Sequence, residues 1–381
     1  MKRVVALLCL GIASAGSALA APENGGVLEE KSLPLENGDA FFFDISQETQ
    51  QAVHGLSGLV CPFDIDGHQL TRVVQFSLTG RDVSCGYNSP GGDSTLTFYM
   101  SWYGTGAVPD AIVKSGLDAM RQAGLFGDIS DTKSLDLAFG GKPLDNCLSA
   151  TMDISDPARP EKSSVTACEI DGWSFKVRAS WSTPDTIPNG GITDFTSTQA
   201  QARERLDACV DWRENPSPEA DSLNQKTEIL LAILTGFAAD SESPDEKADD
   251  KLADDACYVT EFAGNNTAWL MTASPSAQPD AWQMSRATLD GLVEPAALKI
   301  TRGITGLTSL LDDGKDDPRG VWYLSGALSE SEIGLFRVYR GRPTYEQARN
   351  DFIGVLKGEI GSISSIEFEE GGGSTINLAV D

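Results

Sequence analysis

The stretch Gly80–Tyr103 (GRDVSCGYNSPGGDSTLTFYMSWY) leaves its residues few conformations, because two alternating runs flank Pro90-Gly91-Gly92 and an amphipathic segment opens soon after, at Pro109. Alternation with a period of two puts successive side chains on opposite faces of a strand, and proline followed by glycine closes a turn. In Thr95–Tyr103, Leu96, Phe98, Met100 and Trp102 share one face, and Thr95, Thr97, Tyr99 and Ser101 share the other. A hairpin with one apolar face needs a cover. The segment from Pro109 offers one, with Ile112, Val113, Leu117 and Met120 on a single helical stripe and Gly124 as its stop.

The outline recurs along the chain. Cys168–Trp181 reads as a second hairpin around an Asp171-Gly172 turn, with Phe175, Val177 and Ala179 on one face and Lys176, Arg178 and Ser180 on the other. A Gly190-Gly191 loop then leads to a helix over Thr198–Val210. Cys257–Ala273 and Val321–Tyr339 read as third and fourth hairpins, with a short helix or turn at Ala281–Leu292 between them. A helix from Tyr345 and two strands, Ser362–Phe368 and Thr375–Val380, close the chain. Cys85, Cys168 and Cys257 hold similar places in the first three hairpins, at separations of 83 and 89 residues, which suggests ancestral duplication.

The expected fold class is therefore α+β: repeated β-hairpin plus helix units, with antiparallel sheets and helices packed on one face. A largely β sandwich decorated with helices is the alternative. Residues 1–20 carry Lys2 and Arg3, an apolar run and the small residues Ala18 and Ala20, the layout of a signal peptide cleaved after Ala20. The apolar run is shorter than the roughly 20 residues that span a bilayer, so no membrane span is expected. A flexible lead-in (21–39), a first unit (40–140) and a second unit (141–238), which includes an extra helix over Leu223–Ala238, come next. The stretch 239–256 is too acidic to bury itself and reads as a linker. Residues 257–381 form a C-terminal α+β domain with the third and fourth units.

The net charge is −27, and loss of Lys2 and Arg3 makes it more negative. Such a field repels phosphate backbones and anionic lipid, so nucleic acid is not expected as a partner. Six cysteines remain after cleavage, an even number that favours three disulfides in an exported chain. Six cysteines allow fifteen connectivities. The economical one joins Cys61 to Cys85 and Cys147 to Cys168, each across one strand-turn-strand segment, and leaves Cys209 for Cys257, which ties the two halves together.

The search for chemistry assigns no catalytic, cofactor-binding or metal-binding residue, and no cofactor. His54 and His68 are the only histidines, and both read as surface or loop residues, with no basis in the sequence for pairing Ser57 with either. GxSxG, HExxH, GxxxxGK[ST] and GxGxxG-before-helix patterns are absent. Asp312, Asp313, Asp316 and Asp317 could supply oxygen ligands for calcium but do not match an EF-hand loop, and read as a solvated acidic turn. Trp102 and Trp181 end the two best hairpins and read as packing residues; Asn265-Asn266-Thr267 is a sequon. The expected function is an exported non-catalytic binding or structural protein of the cell envelope or extracellular space, taking a protein or envelope component through its hairpin faces and loops. A carboxylate-based secreted glycosidase is the competing class, because that chemistry needs no histidine.

Overall fold

A computed structural model of the chain describes residues 35–36, 43–104, 108–144, 146–156, 158–182, 189–214, 220–222, 256–263, 267–274, 281–288, 291–302, 320–329, 331–368 and 374–378. The expected signal segment, most of the lead-in, the helix expected over Leu223–Ala238 and the acidic stretch Ala239–Asp255 lie outside these residues. So do Asn265, Asn266 and the aspartates Asp312, Asp313, Asp316 and Asp317.

The first part of the chain runs through β1 (Leu35–Glu36), β2 (Phe43–Ser46), β3 (Gln51–His54), β4 (Val60–Pro62), β5 (Asp64–Ile65), β6 (His68–Gln75), β7 (Asp82–Asn88), β8 (Ser94–Trp102) and α1 (Pro109–Gln122). It continues with β9 (Gly127–Ile129), β10 (Lys133–Ser134), β11 (Leu137–Phe139), β12 (Lys142–Leu144), β13 (Leu148–Ile154), β14 (Lys162–Ile170), β15 (Trp173–Trp181), α2 (Asn189–Ser197) and α3 (Ala200–Glu214). One sheet takes the order β1-β6-β7-β8-β15-β14-β13-β10, with β5 beside β6 and β9 beside β13. Its pairs are antiparallel apart from β1 with β6, where Leu35 meets Val73 inside the stretch read as lead-in.

Two three-stranded meanders, β6-β7-β8 and β13-β14-β15, meet at their third strands. The nine paired positions from Ser94↔Trp181 to Trp102↔Trp173 centre on Phe98↔Val177. Register then fixes the faces. Phe98, Met100, Phe175 and Val177 point to one side, where Phe195 of α2 stacks on Phe98 with ring centroids 3.6 Å apart. Ala202 and Leu206 of α3 belong to the same core. Val165 and Ala167 lie opposite Arg178 and Lys176, so they point to the other side, and there α1 packs Val113, Leu117 and Met120 against them. The helices thus lie on opposite faces of this sheet, not on one face as the sequence reading expected. The reason is in β14, which is buried on both faces through Val165 and Ala167 on one side and Cys168 and Ile170 on the other. One helical layer would leave half of that apolar surface in water.

The expected Gly190-Gly191 loop is also corrected, because both glycines lie in the first turn of α2. A Cβ on Gly191 would come within 2.6 Å of Leu96 Cδ1, so the missing side chain lets the helix settle onto β8.

The second sheet comprises β16 (Asp221–Ser222), β17 (Cys257–Ala263), β18 (Thr267–Ser274), β19 (Ala281–Thr288), β20 (Gly291–Arg302), β21 (Val321–Ser329), β22 (Glu332–Arg340), β23 (Ser364–Phe368) and β24 (Ser374–Leu378). Strands β17 to β24 pair in chain order, with β16 on β22. The short helix or turn expected at Ala281–Leu292 is instead β19 and the start of β20. Trp282 and Met284, two residues apart, both enter the core, and pairing with β18 on one side and β20 on the other decides the conformation. The hairpin-plus-helix rhythm therefore breaks after the third hairpin. Helix α4 (Tyr345–Leu356) follows β22, opened by a capping box between Thr344 and Gln347, and covers the core with Ala348 and Phe352. Mostly antiparallel sheet with few helices is the architecture of the described residues.

The disulfides join Cys61 of β4 to Cys85 of β7, Cys147 to Cys168 of β14, and Cys209 of α3 to Cys257 of β17, with Cα separations of 6.2, 4.2 and 5.7 Å. Three such bonds fit an oxidising compartment, extracellular or periplasmic. The third bond is part of a seam between the sheets. Tyr258 packs 5.3 Å from Trp102 and 6.0 Å from Trp173, Arg205 Nη2 donates to the Ala256 carbonyl at 2.7 Å, and Glu261 accepts from Thr79 and pairs with Arg81 at 2.7 Å. No helix among the described residues is long and apolar enough to cross a membrane.

Candidate functional site

Both histidines are buried, which corrects their reading as surface or loop residues, and each meets a serine. His54 ends β3, where the chain turns back through Gly58, and its Nδ1 lies 2.7 Å from Ser57 Oγ. His68 opens β6, with Nε2 2.8 Å from Ser94 Oγ and Nδ1 3.3 Å from the Asp66 carbonyl. A serine–histidine pair becomes nucleophilic chemistry only where substrate can reach the hydroxyl. Ser57 is 0% exposed and Ser94 3%, so both pairs serve as buried hydrogen bonds. The sequence signal was the His-x-x-Ser spacing among Val53, Leu56 and Leu59, which places a turn inside an apolar run.

Burial, joined by the Arg205 charge and opposed by a hydrogen bond to the Gly80 backbone, drives the His54 pKa from 6.5 down to about 3. The folded pKa lies below the unfolded one, so between these values the unfolded chain binds the proton first. The stability tied to neutral His54 is whole above about pH 6.5 and is lost as pH falls toward 3, on the order of 4 kcal/mol by the end of that window. In a proton NMR titration from pH 8 to pH 4, the His54 ring should hold its neutral shift throughout. A midpoint near 6.5 for that ring would contradict its burial.

The other face of the first sheet is built differently. On this side of β8, Thr97 lies opposite Gly86 and Arg178, Tyr99 opposite Ser84 and Lys176, and Ser101 opposite Asp82 and Ser174. Arg72 and Val74 of β6 extend the first two rows, facing Gly86 and Ser84. The apolar cluster beneath α1 takes no residue from β6, β7 or β8, so α1 forms a wall beside this surface. Lys176 Nζ sits 3.9 Å from the centroid of the Tyr99 ring. Arg72 crosses β7 over Gly86, where a Cβ would come within 2.9 Å of both its Cγ and its Nε. Only a glycine leaves that path clear.

Three cations thus gather about one phenol. Burial raises the Tyr99 pKa while Arg178 and Arg72 pull it the other way. Burial lowers Lys176, opposed by Asp82 and assisted by Arg178. Asp82, raised by burial, accepts a 2.6 Å hydrogen bond from Ser101 Oγ. At the margin Phe76, 52% exposed, stacks on Tyr99 with centroids 6.2 Å apart, and Tyr103 is 57% exposed. In the sequence Lys176 and Arg178 appear only as the wet face of one hairpin. Arg72 joins them through strand pairing between residues far apart in the chain, which no local pattern encodes.

Among the described residues no three of His, Cys, Asp and Glu come together as a metal ion would require. Trp102 and Trp269 are half-buried, and Trp173, Trp181, Trp282 and Trp322 are buried. Compared with known proteins, the chain matches no family model, no curated protein and no solved structure.

Proposed function

We propose that this chain is an exported, non-catalytic binding protein and that the half of its first sheet beside α1, around Tyr99, is the recognition face. The observation that carries the reading is the gathering of Arg72, Lys176 and Arg178 on one sheet face of a chain whose net charge is −27. Charge complementarity commits the face to an acidic partner. The exposed rings of Phe76, which stacks on Tyr99, and of Tyr103 match the aromatic enrichment of protein interfaces, so the partner is a protein of the same compartment. A glycosidase would instead set two carboxylates across a cleft beside accessible aromatic rings. The described tryptophans are engaged in packing.

Replacing Phe76 with a photo-reactive phenylalanine and irradiating the protein in its native compartment tests the reading. One cross-linked partner protein is expected. Recovery of the uncross-linked chain alone would count against it.

A further inference from the structure

We propose that Lys176 is a modification site: its amine takes up carbon dioxide as a carbamate, which Ser174 and Arg178, on either side of it in β15, hold in place. The inference goes beyond the recognition reading, since the chemistry needs no partner protein.

Alternation along β15 puts Ser174, Lys176 and Arg178 on one face of the sheet, with the lysine between the other two. Their neighbours on β14 are Glu169, Ala167 and Val165, so only a methyl group stands opposite Lys176 on that side. The half-buried lysine leans the other way, over the ring of Tyr99 in β8, with Nζ 3.9 Å from the centroid. Two carboxylates share this face. Asp82 accepts from Ser101 and acts on Lys176 through its charge, and Glu169 lies two positions along β14 from Ala167. Among the described residues neither forms an ion pair with Nζ, and the ammonium rests on the ring alone. The other cation on β15 is Arg178, which acts on the Tyr99 phenol together with Arg72 of β6.

Ser174 supplies a second, independent observation. It is 1% exposed, and its hydroxyl has no hydrogen-bond partner among the described residues. A buried donor left unpaired is costly, so this hydroxyl calls for an acceptor. Two residues along the same face, an amine without a carboxylate is where an acceptor can be built.

Carbon dioxide adds to a neutral amine. Burial lowers the Lys176 pKa, opposed by Asp82 and assisted by Arg178, so the neutral form is more accessible than on a solvated lysine. The ammonium first gives its proton to solvent. The nitrogen lone pair then forms a bond to the carbon of carbon dioxide, one C=O electron pair moves onto oxygen, and a second proton leaves the nitrogen for solvent. Nothing is oxidised or reduced. The product is an anion with two oxygens, which suits the planar donor fork of Arg178 and the unpaired hydroxyl of Ser174. Carbon dioxide is also small enough to reach a half-buried amine.

Chemical trapping on the full exported chain tests the site. The protein is treated with triethyloxonium in bicarbonate buffer, which ethylates a carbamate oxygen and fixes the adduct, and its peptides are mapped by mass spectrometry. Label is expected on Lys176 and on the α-amino group, which titrates at about 8 and reports that the trap works. None is expected on Lys114, which is exposed and paired with Asp110. Arg178→Gln should lower the label on Lys176 about tenfold, and Ser174→Ala should lower it as well. The serine variant removes a hydroxyl that has no partner, so its melting temperature should not fall, which separates a lost carbamate from a disturbed fold. An unlabelled Lys176 beside a labelled α-amino group, equal label on Lys114 and Lys176, or label on Lys176 that neither substitution lowers would overturn the site. The recognition face stands or fails by its own cross-linking at Phe76, because the trap reads one nitrogen and involves no partner.

Discussion

Phe195→Ala should lower the melting temperature of the protein by on the order of 10 °C, from a loss of about 3–5 kcal/mol. Phe195 is fully buried at the point where α2 meets the first sheet. Its ring stacks on Phe98 at 3.6 Å, lies 6.2 Å from Phe175 and meets Tyr87 edge-on at 6.1 Å. Removing it opens a cavity beneath both helices of that face, and the rings around it come from three strands already fixed by their ladders. Little can collapse into the gap. Phe195→Leu, which keeps most of the volume, should recover more than half of the loss. A fall of less than about 3 °C for the alanine variant would mean that α2 is not anchored through this ring.

Replacing both Cys61 and Cys85 with alanine should cost about 3.5 kcal/mol, because the bond closes a short loop whose freedom returns to the unfolded chain. The two residues are separated by 24 positions, and both are fully buried beneath the helical layer. The bond fastens β4 to β7 across segments that otherwise share no ladder. Alanine avoids burying a hydroxyl that serine would bring in. The expected result is a fall in denaturant midpoint with a small rise in slope, since the unfolded chain without the bond exposes more surface. An unchanged midpoint would show that the small sheet of β2, β3 and β4 holds its place without the bond.

Much of the local structure was legible because it depends on residues near one another in the chain. The Asp171-Gly172 turn is an example: both residues have positive φ, 53° and 87°, as a two-residue hairpin turn requires, and Asp-Gly is the dipeptide that tolerates it. Gly124, read as a helix stop, likewise has φ of 82°. The alternation of β8 and β15 correctly divided their core and wet faces. What local pattern did not encode is which faces meet. The apolar residues of β14 point both ways, and only its pairing with β15 assigns Val165 and Ala167 to α1 and Cys168 to the other layer. The buried histidines were missed for a related reason. A histidine beside a turn reads as exposed until the serine that satisfies it, and the rings of Phe43 and Trp173 that enclose it, are brought together by the fold. The gathering of Arg72, Lys176 and Arg178 about Tyr99 needed three strand pairings at once, β6 with β7, β7 with β8 and β8 with β15.

The recognition face is tested most directly by comparing two exposed aromatic positions at opposite margins of the same sheet. Phe76 stacks on Tyr99 at the end of β6, and Phe126, 64% exposed, precedes β9 at the far margin. A photo-reactive phenylalanine fits at either place without loss of packing. Irradiation of the two exported variants in their native compartment should give a cross-linked partner protein from position 76, suppressed by added salt, and none from position 126. Capture from position 126 with none from position 76 would contradict the assignment of the recognition face.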